Sequence, residues 1–550
     1  KAFSSTADEN MAIDPNSEYV EGFVCKETDI AENQMKQLDL ANTGKILLVK
    51  QNGKLSALGT KCSHYGASLS SGALGLGRIR CPWHGACFNI ETGDIEDFPG
   101  LDSIPCYQVK VENGKVKVRA KRAELESNRR VRYMFGRDAE NEETHIIVGG
   151  GPAAATCAET LRQEGFNGRI IMIAREPYLP YDRIKLSKIM DVNPVKLQLR
   201  KPEYYEENGI EVMTDTQVVA IDSTEKEIGL SNGYQVKYDK IFIATGSSPW
   251  IPNIQGIDSV VNIHVLRTVD DALEIEKQLQ PGSNVVILGV SFIGLEAAAY
   301  CVSKVAKVTV IGRDSVPLRP VFGEMIGAQI MDLFQQKGVD FVMNSGIRKF
   351  NADDENNLDS VELNDGTVIP ANVCILGTGT RPNTAFLEDS GINLNDNGTI
   401  DTDMYLQCNV DDVFIGGDIA NAPVFSNDNN LAAIGHYGLA QYHGRVAGLN
   451  MVGKKTLIRS VPYFWTVLFG KSIRYCGHGM ATDVFIDGEV SEMKFVAFYF
   501  NDDGKVIAMA SCHRDPVVSQ FAEFLSQGKT LYRSDLEPDP FAWTKKLNKV

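Results

Sequence analysis

Twice in this chain a short apolar run stops at a glycine-rich turn and passes into a helix-forming stretch. The first is His145-Ile146-Ile147-Val148 followed by Gly149-Gly150-Gly151-Pro152-Ala153-Ala154. The second is Asn284 to Leu288 followed by Gly289-Val290-Ser291-Phe292-Ile293-Gly294. A repeated supersecondary unit limits the architecture more than any single motif. In each turn the first glycine permits a tight bend, the second lets backbone approach a pyrophosphate, and a small third residue lets helix pack on strand. The phosphate then lies on the helix N-terminus, where free N–H groups and the dipole favour negative charge.

Each unit continues in the same grammar. Runs 169–173 and 307–311 are the next strands, and Glu176 follows the first as an acceptor for a ribose hydroxyl. Runs 241–246 and 374–379, each apolar and ending in Thr-Gly, close one unit apiece, and 413–418 returns to the first. The reading is two α/β, Rossmann-like domains: an FAD-binding domain from 143–265 with 390–452, and an NAD(P)-binding domain at 266–389. Two dinucleotide sites imply two dinucleotides, and the usual pair is a tightly held FAD and a visiting nicotinamide cofactor. The second site is expected at Gly289, Ser291 and Gly294, with Ser291 standing where a glycine would leave more room.

Ahead of the repeat, Cys62-Ser63-His64 is followed, after sixteen residues, by Cys81-Pro82-Trp83-His84. Each pair holds one thiol and one imidazole. Cys-x-His with Cys-x-x-His is the ligand spacing of a Rieske [2Fe–2S] cluster, with two thiolates on one iron and two imidazoles on the other. Tetrahedral zinc uses the same residue types, but zinc fingers group cysteines and histidines in separate pairs. The flanks Cys81-Pro82-Trp83-His84-Gly85 and Phe88-Asn89-x-x-Thr92-Gly93 favour the cluster. Around them, 18–119 reads as a small all-β domain, with short strands flanking Asn52-Gly53 and Asn113-Gly114 hairpin turns.

Composition sets the outer limits. The chain has 550 residues, 43% hydrophobic and 23% charged, which suits about three to four domains with their own cores. A net charge of −16 argues against nucleic acid as a partner. Of eleven cysteines, the nine outside the ligand pairs show no paired spacing, which points to a reducing, intracellular setting. No apolar run spans a bilayer, and the nearest, 285–302, is broken by Ser291 and Glu296. The chain starts at Lys1 rather than Met, which leaves room for a removed targeting segment. Residues 1–17 are expected to be disordered and 120–142 to form a linker whose length leaves the docking of the cluster domain open. A C-terminal α+β domain is expected at 453–550, with a hairpin turning at 501–504.

The motifs Pro180-Tyr181-Asp182-Arg183, Leu186-Ser187-Lys188, Phe292-Ile293-Gly294-x-Glu296, Gly416-Gly417-Asp418 and Phe464-Trp465 together resemble the ferredoxin-reductase branch of pyridine-nucleotide flavoproteins. That branch holds oxygenase-coupled ferredoxin reductases and apoptosis-inducing factors. With a Rieske domain in front, nearly the whole chain resembles the apoptosis-inducing factor 3-like family. The resemblance implies FAD contacts at Gly149, Gly151, Ala153, Ala154, Glu176, Arg183, Lys188, Val218, Arg267 and Asp418, with Tyr437 and Trp465 beside the flavin ring. For aromatics such as those at 461–465 the plainer reading is core packing. The resemblance also implies a Lys188–Glu296 pair near the flavin, where a cation favours the anionic reduced ring; an ordinary structural ion pair is the alternative. It suggests a mitochondrial or cytoplasmic address.

Departures from the family carry information. The cysteine pair that disulfide reductases place against flavin is absent, and Lys185-Leu186-Ser187-Lys188 stands there instead, so electrons do not leave by thiol chemistry. The ribose-binding acid of the nicotinamide site falls at Gly312, followed by Arg313 and Asp314. Losing that acid and gaining an arginine favours NADPH over NADH, unless Arg313 is simply solvated and Asp314 serves the ribose. The cysteines and hydroxyl donors of respiratory Rieske proteins fall here at Ala67, Trp83, Ala86 and Phe88, which predicts a midpoint near the low end of the roughly −150 to +300 mV range. His436 and His443 form no convincing mononuclear iron site and are expected to be structural or at the flavin edge. The reading is therefore an enzyme passing electrons from NAD(P)H through FAD and its own cluster to a separate acceptor protein, such as an oxygenase or cytochrome. The rivals are a reductase of a small acceptor such as a quinone, and a signalling or interaction protein.

Overall fold

The computed structural model describes residues 17–548. The polar tail expected at 1–17 lies outside them except for Ser17. From Tyr19 an antiparallel sheet of six strands forms, in the order Tyr19–Lys26, Lys115–Lys121, Cys106–Glu112, Lys54–Leu58, Gly44–Gln51, Gln34–Leu40. Two of its hairpins close on the Asn-Gly pairs. Asn52 and Gly53 adopt φ of 53° and 70°, and Asn113 and Gly114 adopt 50° and 74°. That is the left-handed pair a two-residue turn demands and that Asn and Gly tolerate. A second layer of four short strands, Ala73–Leu74, Arg78–Arg80, Cys87–Asn89 and Ile95–Asp97, carries Cys81 to Gly85 at a hairpin tip.

The first glycine-rich unit forms a parallel sheet of five strands, ordered Ile210–Met213, Arg169–Ile173, Thr144–Val148, Lys240–Ile243, Val413–Ile415. Its central strand is apolar on both faces, as helix-covered parallel strands are; Ile146, Ile147 and Val148 are all buried. Gly149 turns the chain at φ 137°, where a Cβ would lie 2.3 Å from the Ala244 carbonyl oxygen. The helix Pro152–Gln163 then packs on the helix Tyr437–Met451. A Cβ at Gly444 would sit 2.1 Å from the Ala153 carbonyl oxygen, so only glycine allows that approach.

The second unit repeats this as Ile263–Val265, Val373–Leu376, Asn284–Leu288, Lys307–Ile311, Val339–Val342, again parallel. Ile263–Val265, which the sequence boundary at 265 left in the first unit, pairs with Cys374 to Leu376 in the second. Three residues are too few to show a periodicity that would reveal their sheet. The run 285–302 is the strand and helix read from it, and among the described residues no helix is long and apolar enough to cross a membrane. The C-terminal part is an antiparallel sheet of five strands, backed by the helix Val517–Ser526. The molecule is thus an all-β domain, two Rossmann-like α/β units and an α+β domain.

The connection 120–142 is fastened at both ends. The helix Arg122–Ser127 ends on Asn128 in the left-handed region, φ 51°. Asn128 Oδ1 accepts from the backbone N–H of Thr60 at 2.8 Å and of Lys61 at 3.2 Å, just ahead of Cys62. Arg130 donates to the Thr92 carbonyl oxygen at 2.9 Å and pairs with Asp94. Further on, the Phe135 N–H donates to Arg162 O at 3.0 Å and the Asp138 N–H to Asn167 O at 2.8 Å. Such polar anchors leave no periodic trace, so the sequence showed only length.

Candidate functional site

A cleft of about 470 Å³ opens where the first sheet meets the second unit. Gly149, Gly151, Ala153, Glu176, Arg183, Val218, Arg267, Asp418 and Tyr437 are among its walls. Ala154 is not; its side chain is 0% exposed and packs into the core, one helical step away from Ala153. Two features show that the walls suit a dinucleotide. A Cβ added at Gly151 would meet no protein atom within 4 Å, so the glycine keeps space for something beyond the protein. The Tyr437 hydroxyl is buried without a hydrogen-bond partner among the described residues, a cost of about 1–3 kcal/mol that a ligand atom can relieve.

Charge in the cleft is arranged in pairs. Glu176 accepts from the Tyr181 hydroxyl at 2.6 Å and from Arg183 Nη2 at 2.5 Å. Burial alone would raise its carboxyl, but Arg183 outweighs that and holds it below the ordinary carboxylate range. A carboxylate has about four acceptor sites, so these contacts leave room for a ribose hydroxyl. Asp418 Oδ2 accepts from Ser247 Oγ at 2.7 Å and Arg267 Nη2 at 2.8 Å. The turn before it is held by His443, whose Nδ1 accepts from the Gly417 N–H at 3.2 Å. Burial lowers His443 to about 4, which keeps that nitrogen an acceptor. His436 is lowered to about 4 for the same reason and lies against Phe464, ring centroids 4.8 Å apart.

Lys188 and Glu296 do form an ion pair, Nζ to Oε2 at 2.9 Å. Neither is among the cleft walls; the walls beside them are Ile184 and Ile293. Glu296 is buried and accepts from three donors, Lys188, Ser187 Oγ at 2.5 Å and Thr466 Oγ1 at 2.9 Å. Lys188 Nζ also donates to Ile184 O at 3.2 Å. One carboxylate thus joins the first unit, the second unit and the C-terminal sheet.

The thiols and imidazoles of the N-terminal domain come together as two pairs. Cys62 and Cys81 are both buried, and each shifts the other's thiol, Cys62 upward and Cys81 downward. The two Nδ1 atoms of His64 and His84 lie 3.1 Å apart. Burial lowers the two imidazoles to about 4 and about 2, so both are neutral and able to ligate. Among the described residues no three His, Cys, Asp or Glu side chains surround one point as a single ion requires. Thiols paired with thiols and imidazoles with imidazoles is the division that a [2Fe–2S] cluster makes between its irons, and it does not match tetrahedral zinc.

These pairs sit on the seam with the flavoprotein part. The strand Tyr463–Leu468 sends alternate side chains to opposite faces. Phe464 packs on Phe292 and Tyr475, and Thr466 reaches Glu296. Tyr463 and Trp465 face the cluster domain instead: Tyr463 fills the space beside Gly85, and the Trp465 ring lies 4.1 Å from that of His84. Trp465, expected beside the flavin, is therefore not a cleft wall; period-two alternation gives its ring to His84. On the same seam the Tyr65 hydroxyl donates to Asp182 Oδ2 at 2.6 Å, next to the cleft residue Arg183.

At the second site, Gly289 and Gly294 are required by packing, since a Cβ on either would come within 2.2 Å of a backbone oxygen. Ser291 is exposed at φ −90°, a conformation open to any residue. At Gly312 a Cβ would lie 2.4 Å from Val290 Cγ1, so an acid is sterically excluded there. Arg313 is exposed, with no hydrogen bond or ion pair among the described residues.

Residues 143–444 match the pyridine nucleotide-disulphide oxidoreductases, and residues 21–108 match the Rieske [2Fe-2S] domain. Apoptosis-inducing factor 3 of Mus musculus is 43% identical over 524 residues, covering 94% of this chain and 86% of its own. The chain belongs to the apoptosis-inducing factor 3 family. Rhodocoxin reductase of Rhodococcus erythropolis is 28% identical over 359 residues, 64% of this chain and 83% of its own. Putidaredoxin reductase, in its covalent complex with putidaredoxin, superposes with a TM-score of 0.69 at 24% identity, covering 74% of this chain and 98% of that one. The sequence reading missed Tyr65, Asp182, Ser247 and Thr466 as contributors. Only Asp182 carried a local signal, its place inside the Pro-Tyr-Asp-Arg motif.

Proposed function

We propose that this oxidoreductase takes a hydride from NAD(P)H at its cleft side and delivers electrons singly, through its own Rieske site, to a separate acceptor protein. When bound, FAD supplies the conversion from two-electron to one-electron chemistry, and a [2Fe–2S] cluster accepts one electron at a time. Gly149, Gly151, Ala153, Glu176, Arg183, Val218, Arg267, Asp418 and Tyr437 would hold the FAD, and Cys62, Cys81, His64 and His84 the cluster. Lys188, held by Glu296 and the Ile184 carbonyl, supplies positive potential behind the Ile184 wall, where a reduced, anionic ring benefits most. The observation that carries the reading is the seam, where both imidazoles meet Trp465 while Tyr65 hydrogen-bonds Asp182 beside the cleft.

NADPH is the favoured donor. The exclusion of an acid at Gly312 and the unpartnered, exposed Arg313 support it, because a 2′-phosphate needs a cation and no competing carboxylate. The acceptor is an oxygenase component or a cytochrome; relatives at 29% and 28% identity are named as ferredoxin–NAD(+) reductase components of benzene and p-cumate dioxygenase systems. The family resemblance favours a mitochondrial setting. An anaerobic NAD(P)H titration, following flavin absorbance and the cluster's EPR signal together, tests the wiring. Both should respond in one titration; a flavin that bleaches while the cluster stays oxidised rejects it.

A further inference from the structure

The two ligand imidazoles have an inner and an outer side. Inside, Trp465 covers both, with ring centroids 5.9 Å from His64 and 4.1 Å from His84. Outside, Tyr65 stacks on His64 at 3.8 Å and meets His84 edge-on at 5.5 Å, and Trp83 meets His84 at 6.2 Å. Tyr65 and Trp83 are each 42% exposed, large aromatics left in water within one ring of the ligands. Aromatic side chains of this kind anchor protein interfaces.

The inner face is already taken by the chain's own flavoprotein part, and the contact is built to stay. Arg80, 1% exposed, donates to Glu523 at 2.7 Å and to Asp97 at 3.1 Å, while Glu523 is fully buried. On the other flank Asp102 pairs with Arg200 at 2.8 Å, and Arg200 with the buried Glu159 at 2.9 Å. Ser519 Oγ donates to Cys81 O at 2.9 Å and Arg474 to Trp83 O at 3.1 Å, holding the second ligand loop itself. Undocking would part Arg80 from Glu523, Asp102 from Arg200, and Ser519 and Arg474 from the ligand loop at once.

Charge around the outer edge runs against that of the molecule. The chain carries −16, yet Arg129 reaches the His64 carbonyl at 3.4 Å, Lys185 lies 5.8 Å from the Tyr65 ring centre, and exposed Lys61 precedes Cys62. The nearby anions are engaged: Asp182 by Tyr65 and Lys185, and Asp515 by Arg474. The edge is an apolar aromatic centre with a cationic rim, a surface complementary to an acidic partner.

We propose that Tyr65 and Trp83, rimmed by Lys61, Arg129 and Lys185, form the docking edge for an acceptor protein with an acidic face, which is reduced there while the cluster domain stays docked. The inference rests on the proposed function. Each NAD(P)H yields NAD(P)⁺, one proton and two electrons, and so reduces two one-electron acceptor molecules in turn.

The test uses the full-length protein carrying FAD and cluster, with cytochrome b5 as an acidic haem acceptor and cytochrome c as a basic one. Cytochrome b5 should be the better substrate, and its reduction should slow as salt rises. The double variant Lys61→Glu, Arg129→Glu should raise the KM for cytochrome b5 about tenfold. Its NAD(P)H–ferricyanide turnover and cluster EPR signal should be unchanged, and Lys61→Arg, Arg129→Lys should behave as the parent. A KM that does not move, or a preference for cytochrome c, overturns the proposal. A cluster that NAD(P)H never reduces in the parent protein rejects the functional reading itself, which separates the two failures.

Discussion

At the scale of single residues, Gly312 and Arg313 show how much one position can decide. The glycine is enforced by Val290, whose Cγ1 would lie 2.4 Å from any Cβ there. The arginine beside it is solvent-facing with no partner among the described residues, so its removal should cost no packing. Arg313→Ala is expected to raise the KM for NADPH about tenfold while leaving that for NADH little changed. Steady-state kinetics with both donors checks this, and an unaltered ratio would refute the specificity reading. His443 makes a prediction about pH. Its folded form titrates at about 4 against an ordinary 6.5, because burial disfavours its charge. Between those values the unfolded chain takes up a proton that the folded one refuses, so stability falls as pH falls through that window, by up to about 1.4 kcal/mol per unit. His436 and His145, lowered to about 4 and about 3 mainly by burial, act in the same direction. Thermal unfolding midpoints should drop from pH 6.5 to 4, and His443→Asn, which retains an acceptor for the Gly417 N–H, should flatten the slope.

At the scale of elements, the helix Val517–Ser526 and the strand Tyr463–Leu468 matter less for what they are than for what they carry across the seam. The helix brings Glu523 to Arg80 and Arg78, and Ser519 to the backbone of Cys81. Glu523→Ala leaves the buried Arg80 with Asp97 as its one remaining carboxylate and takes from the half-buried Arg78 its nearer one, a loss expected at about 3 kcal/mol, the lower end for a broken buried pair. Denaturant unfolding should show that loss, and a protease should cut the 120–142 connection faster in the variant. Stability within about 0.5 kcal/mol of the parent would place Glu523 among ordinary surface substitutions. The strand was legible as an aromatic run, and its membership in a sheet follows from that composition. Which of its aromatics would touch flavin, cluster or core was not legible, because alternation separates odd from even positions but cannot say which domain waits on each face.

At the scale of the whole molecule, what was readable divides cleanly from what was not. The glycines of the two turns, the cysteines and histidines of the ligand pairs and the Asn-Gly hairpins are local solutions to local geometry, and local geometry is written in contiguous residues. Hence the domain types, the family and the cluster spacing could be read without coordinates. The position of Ile263–Val265, the anchoring of 120–142 and the placing of Trp465 against His84 depend on residues tens to hundreds of positions apart. Arg80 and Glu523, 443 positions apart in the chain, meet as a buried pair only because a hairpin and a helix of different domains pack together. By itself the sequence determined which groups can hold a dinucleotide and an iron–sulfur cluster, because those sites are built from short spacings. Tertiary structure alone decided that the cluster is docked on the flavoprotein with one aromatic edge outward. Burial, counter-charge and the face a side chain takes are properties of packed neighbours, not of a chain read in order.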